Sequence, residues 1–145
     1  MHPYPKQGER DYFARLVPTG LAQSTDPPFP DEQCSVNLAN MAALFHLLDA
    51  PPRRIVEFGC GVGWLSLFLA RRGYAVTGVD ISPDAIAAAR AQCDAQQIRN
   101  AEFVVADYEE FSAAEPFDCA LFYDSLHHAE DERAEYWNDV TTRYF

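Results

Sequence analysis

Ile55-Val56-Glu57-Phe58-Gly59-Cys60-Gly61-Val62-Gly63 is the stretch on which the reading of this chain turns. Its first four residues, apolar apart from one acid, read as a buried strand. Three glycines in the next five positions read as a tight turn. Trp64 to Ala70 is then apolar nearly all round, which predicts a buried helix ending near Gly73. Glycines in such a turn let a ligand approach the backbone closely. They also open a helix whose first N–H groups have no partner within the helix. A plain strand-to-helix turn has the same glycines without a ligand, so this motif alone does not decide the function.

The same alternation continues downstream. Ala75 to Val79 predicts a second strand that closes on Asp80. Ser82-Pro83-Asp84 is a helix start: a capping hydroxyl, proline at the first helical position and an acid in the first turn. Ile86, Ala89 and Cys93 supply that helix's inner face. Glu102 to Ala106 predicts a third strand ending on Asp107, and Glu109 to Glu115 a short polar helix or loop. Phe117 to Phe122 predicts a fourth strand, followed by Tyr123-Asp124-Ser125-Leu126-His127-His128, and residues from Glu130 onward read as an acidic helix.

Upstream, residues 1–30 carry Pro3, Pro5, Pro18, Pro27, Pro28 and Pro30 and read as an arm, with a short helix around Asp11 to Leu16. Residues 31–145 read as one domain. It opens with Asp31 capping a helix whose apolar positions are Leu38, Met41, Phe45 and Leu48, stopped by Pro51 and Pro52.

Strands alternating with helices predict an α/β fold with a parallel sheet and right-handed crossovers. The near-continuous apolar strands agree, because helices cover both faces of such a sheet. Ligands bind there at the carboxyl ends of the strands. In this chain those ends carry the glycine turn, Asp80, Asp107 and Tyr123.

The 145 residues suit a single domain. No apolar run reaches the roughly 18 residues of a membrane-spanning helix, and no apolar segment marks a secretory leader at the N-terminus, so a cytoplasmic protein is expected. Net charge is −11, and residues 101–145 carry 12 acidic against 2 basic side chains. Such a surface repels phosphate backbones, which argues against nucleic acid and leaves a small-molecule substrate as the expected partner. Cys34, Cys60, Cys93 and Cys119 form no CxxC pair, so neither a metal site nor a redox pair is signalled.

At the strand ends, Asp80 can accept both hydroxyls of a ribose. Helix capping is its dull alternative, but Ser82 already fills that role. Asp107 can accept from an exocyclic amine, with Tyr108 covering a purine face, or it can cap the next helix. Glu57, an acid inside a strand, needs a hydrogen-bond donor if it is buried.

Taken together these stretches resemble the class I S-adenosylmethionine-dependent methyltransferases. Val56 to Gly63 matches that family's E-x-G-x-G-x-G. Val76 to Ser82, Phe103 to Asp107 and Phe117 to His128 occur in the family's order and spacing. The resemblance covers about residues 35–130. It implies a Rossmann-like parallel sheet with flanking helices and S-adenosyl-L-methionine as cofactor. By position, Glu57, Gly59, Cys60 and Gly61 would lie along its methionine part. Asp80 would hold the ribose with Ile81 against the adenine, Asp107 and Tyr108 would sit at the adenine amine, and Tyr123 would line the sulfonium side. Residues 1–30 resemble the substrate lid such enzymes carry, with Tyr12 or Phe13 closing over the cofactor. No metal is required, because the methyl is already activated and catalysis is largely alignment. His127 and His128 are weak candidates for a general base on the acceptor side.

The resemblance also sets two expectations of incompleteness. The family's later strands, of a usual seven, are missing after strand four. That strand would then be an apolar edge, with Cys119 and Leu121 on one face and Ala120 and Phe122 on the other, open to pairing in a homodimer. A cofactor-binding fragment or remnant without turnover is the alternative function. A nicotinamide-dinucleotide domain is the third, disfavoured because Trp64 and Leu65 come after Gly63 where G-x-G-x-x-G needs its last glycine later.

Overall fold

In the computed structural model, which describes residues 6–16 and 34–125, four parallel strands form one sheet in the order β3-β2-β1-β4. They are β1 (Arg54–Phe58), β2 (Ala75–Asp80), β3 (Ala101–Val105) and β4 (Cys119–Phe122). The helices are α1 (Lys6–Leu16), α2 (Cys34–Leu47), α3 (Trp64–Arg71) and α4 (Pro83–Ala95). Phe58 is level with Val79 and with Phe122, and Asp80 with Val105, so the carboxyl ends of all four strands finish together.

The central strands β1 and β2 are buried almost throughout, as their apolar runs predict. Alternation along each strand then sorts side chains to the two faces. Ile55, Val76 and Phe103 meet Leu65, Leu69, Ile86, Ala89 and Cys93 of α3 and α4 on one face. Val56, Phe58 and Val79 meet Phe117, Tyr108 and Phe111 on the other. Cys119 and Leu121 join the first cluster, and Ala120 and Phe122 the second, as the fourth strand's pattern predicts. Ser82 caps α4 by accepting the Ala85 N–H at 3.2 Å, with Pro83 opening the helix. Among the described residues β4 pairs with β1 alone.

Three expectations are corrected and one is narrowed. Helix α1 starts at Lys6 rather than near Asp11, because no proline interrupts Lys6 to Leu16. Of the two forms expected for Glu109 to Glu115, helix or loop, the structure shows the loop. Asp107 ties the segment into a turn by accepting the Glu109 N–H on its side chain and the Glu110 N–H on its carbonyl, both at 3.0 Å. Strand β4 begins at Cys119. Phe117 instead buries its ring in the second cluster, with the Arg54 guanidinium 5.1 Å above it. Leu38 is exposed although Met41 is buried, because α2 is apolar on every side and periodicity cannot choose its inner face. The Asp31 cap, most of the arm, His127, His128 and the acidic tail lie outside the described residues.

Candidate cofactor site

The turn after β1 is built on three glycines with positive φ, 71° at Gly59, 53° at Gly61 and 80° at Gly63. A side chain at Gly59 would come within 2.4 Å of the Ser125 Cβ, and one at Gly63 within 2.6 Å of the Phe103 ring. Those two glycines therefore serve packing inside the fold. Gly61 differs: the nearest atom to a side chain there would be the Phe13 ring, at 3.3 Å. Of the three, only Gly61 fits the expectation of a close approach from the crevice. Cys60 is buried, with its sulfur turned toward Gly78, so only its backbone can serve a ligand. Burial pushes its thiol well above the usual range, and the nearby Glu57 and Asp80 add to that.

Asp80 closes β2 and braces this turn. Its Oδ2 accepts the Gly61 N–H and its Oδ1 the Ser82 N–H, each at 2.8 Å. Capping of α4 belongs to Ser82, as expected. An ionised carboxylate offers about four acceptor positions, so two backbone bonds do not exhaust it.

Glu57 is buried, 3% exposed, and the donor it requires is Ser66. Both the hydroxyl and the backbone N–H of that residue, in the first turn of α3, reach its carboxyl group. Burial raises the Glu57 pKa to about 7 against the lowering effect of those bonds, with the charge of Asp80 assisting the rise. Near neutral pH Glu57 is thus balanced between its two forms.

Asp107 stands one strand over, after β3. Its carboxylate forms an ion pair with the Lys6 ammonium, which also lies 2.7 Å from Glu109. Desolvation pulls the Lys6 pKa down, but the hydrogen bonds and charges of the two acids outweigh it and hold the ammonium above the usual lysine range. The Tyr108 ring packs against Phe58 and Phe122 at 6.0 and 5.8 Å, in the second core cluster. Ile81 is buried, and its carbonyl accepts from Arg10 Nε at 3.3 Å.

On the far side, Tyr123 sits edge-on to Trp64 at 5.3 Å, with its hydroxyl 3.3 Å from the Asn37 side-chain oxygen on α2. The Ser125 hydroxyl donates to the Phe58 carbonyl at 2.6 Å and ties the exit of β4 to that of β1. The structure therefore gathers Glu57, Gly61, Asp80, Ile81, Asp107 and Tyr123 around one set of strand ends. His127 and His128 lie outside the described residues. Among the described residues no cluster of His, Cys, Asp and Glu is suited to a metal ion.

Sequence reasoning missed Ser66, Ser125, Lys6, Arg10 and Asn37. For Ser66 a signal existed: it is the only polar side chain between Trp64 and Ala70, and a hydroxyl there needs a buried partner. For Lys6 and Arg10 the signal was their spacing with Phe13.

Comparison with known proteins agrees with this geometry. Residues 55–142 match a family model described as a methyltransferase domain. A protein of Geobacillus sp. (strain WCH70) named as a methyltransferase is 41% identical over 81 residues, 55% of this chain and 32% of the relative. A 23S rRNA (uracil(1939)-C(5))-methyltransferase of Shewanella amazonensis is 37% identical over 83 residues, 57% of this chain and 19% of the relative. Among solved structures, an S-adenosylmethionine-dependent methyltransferase from Mesorhizobium loti superposes with a TM-score of 0.62 at 30% identity. That alignment covers 73% of this chain and 49% of that structure. The chain spans a third or less of the length of the two curated relatives. The matched family model includes the whole glycine turn and the acids downstream of it, and the chain belongs to the class I S-adenosylmethionine-dependent methyltransferase family.

Proposed function

We propose that this chain binds S-adenosylmethionine across the carboxyl ends of β1, β2 and β3 and transfers its methyl group to a small-molecule acceptor. One observation carries the reading: Asp107, Asp80 and the crevice-facing Gly61 stand side by side at the ends of three consecutive strands, β3, β2 and β1. The donor set suits an adenosine. Asp80 offers acceptors for ribose hydroxyls, Asp107 an acceptor for an exocyclic amine, and Gly61 a backbone without a side chain. Glu57, balanced between its two forms, gains a reason to ionise if an ammonium lies near it.

The cofactor supplies a methyl already activated on sulfonium. What remains for the chain is orientation and exclusion of water. Asp80 fixes the sugar end because the Gly61 and Ser82 N–H groups fix Asp80. Tyr123, held between Trp64 and Asn37, forms the wall on the acceptor side. His127 and His128 come after it in sequence and are the candidates for moving a proton from the acceptor.

The acceptor assignment rests on charge. A net charge of −11 opposes a phosphate backbone. One relative is named for 23S rRNA, so RNA is the competing acceptor to include in any assay. Within the same reading residues 1–30 are an N-terminal arm and residues 31–145 the cofactor domain, at work in the cytoplasm. No helix among the described residues is long and apolar enough to cross a membrane. A homodimer would form through the β4 edge, and a monomer in light scattering across a concentration series would remove that part.

Calorimetry with S-adenosylmethionine and S-adenosylhomocysteine tests the core of the proposal. One-to-one binding of both is expected. Folded protein that gives neither heat nor a thermal shift at millimolar ligand would overturn it.

A further inference from the structure

Helix α1 lies across the strand ends in a repeating way. Lys6 pairs with Asp107 after β3, Arg10 donates to the Ile81 carbonyl after β2, and the Phe13 ring packs at Gly61 after β1. The three residues are spaced i, i+4, i+7 and so share one face of the helix. Their partners keep the order of the sheet, β3-β2-β1. The dimensions agree as well. Seven residues of helix rise about 10.5 Å, and two gaps between neighbouring strands span about 9.6 Å. One face of α1 thus presents one side chain to each of three consecutive strand ends.

We propose that α1 is a plug that competes with the nucleotide ligand for the crevice, the ligand-free chain filling its own site with Lys6, Arg10 and Phe13. This rests on the cofactor site proposed above. A ligand laid against Gly61 must displace the Phe13 ring, and an amine approaching Asp107 meets the Lys6 ammonium already paired there. Tyr12, the neighbouring aromatic, is 54% exposed and packs edge-on against the Phe13 ring at 5.3 Å. The contacts are of a kind that lets go. Lys6 keeps 31% of its side chain exposed, and exposed ion pairs weaken as salt screens them. Ligand affinity is lowered by the fraction of molecules whose site is closed, so loosening α1 raises apparent affinity without touching the site.

The test compares wild type, Lys6→Gln and Phe13→Ala by calorimetry with S-adenosylhomocysteine, together with hydrogen exchange of the α1 amides. Both variants are expected to bind about two- to fivefold more tightly, the range that loss of one partly exposed contact allows. The α1 amides are expected to lose protection in ligand-free Lys6→Gln, and in wild type when S-adenosylhomocysteine is added. Equal or weaker binding by both variants, or α1 amides that gain protection with ligand, would overturn the plug and make α1 a lid that closes over a bound cofactor. Absence of binding in all three proteins is a different result: it removes the proposed cofactor site, and the competition with it.

Discussion

The glycine turn and helix α1 meet at Gly61, yet they are held by opposite kinds of contact. The turn is fixed from beneath by groups out of reach of water. Asp80 takes the Gly61 and Ser82 N–H groups, and Glu57 takes Ser66, with all of these acids and serines buried. Helix α1 is fixed from above by the partly exposed Lys6 ammonium between Asp107 and Glu109, one 3.3 Å bond from Arg10 and a single ring. Buried bonds to charged groups contribute roughly 1.5–3 kcal/mol each, whereas exposed pairs contribute about 0.2–1 kcal/mol. One side of the crevice is therefore permanent and the other releasable. A site that must admit and release a ligand needs one wall of each kind.

The largest expected effect breaks the permanent side. Asp80→Ala leaves the buried Ser82 N–H and the part-buried Gly61 N–H without their acceptor and should lower folding stability by about 2–4 kcal/mol. Chemical denaturation reads this directly. A loss under about 1 kcal/mol, the size of an ordinary neutral hydrogen bond, would mean that the turn stands without Asp80.

Glu57 gives the second effect, through pH. Its folded pKa of about 7 lies above the unfolded value of 4.5, so the folded chain binds the proton more tightly than the unfolded chain does. The associated stability is complete below about pH 4.5 and is lost as pH rises through 7, amounting to roughly 3 kcal/mol. Glu57→Gln removes this dependence. The difference in stability between variant and wild type should therefore grow in the variant's favour from about pH 5 to about pH 8. A difference that stays flat with pH would show that Glu57 is ionised throughout.

A smaller effect sharpens the releasable side. Asp107→Ala removes the proposed amine acceptor, at a cost of about 1–2 kcal/mol in affinity, but it also unfastens Lys6. The two consequences oppose one another in wild type. In a Lys6→Gln background only the first remains, so the loss should be larger there by about 0.5–1 kcal/mol. Equal losses in both backgrounds would uncouple the helix from the site.

The same division explains how much could be read from the sequence. The turn, Asp80 and Ser82 are set by neighbours a few positions apart, where glycine, proline and capping chemistry act locally, and all three stand where the spacing placed them. Parallel order came from alternation of strand and helix. Ser66 was not found, because its partner Glu57 sits nine residues away and only the fold brings α3 over β1. Lys6 is hidden more deeply, since its partner Asp107 lies 101 residues on and only the packing of α1 across the strand ends brings the two together. The place of Tyr108 beside Asp107 is legible from adjacency, whereas its ring contacts with Phe58 and Phe122 arise only when the fold brings those strands together.

The central claim is that the acids at the ends of β2 and β3 read an adenosine, and one titration series tests it most directly: S-adenosylhomocysteine and NAD, each against wild type and Asp107→Ala. A nicotinamide-dinucleotide site would also use an acid in the place of Asp80, but it assigns no contact to Asp107. Wild type should prefer S-adenosylhomocysteine, and Asp107→Ala should weaken its binding by about five- to thirtyfold once Lys6→Gln is present in both proteins. Preference for NAD, with Asp107→Ala silent, would contradict the claim.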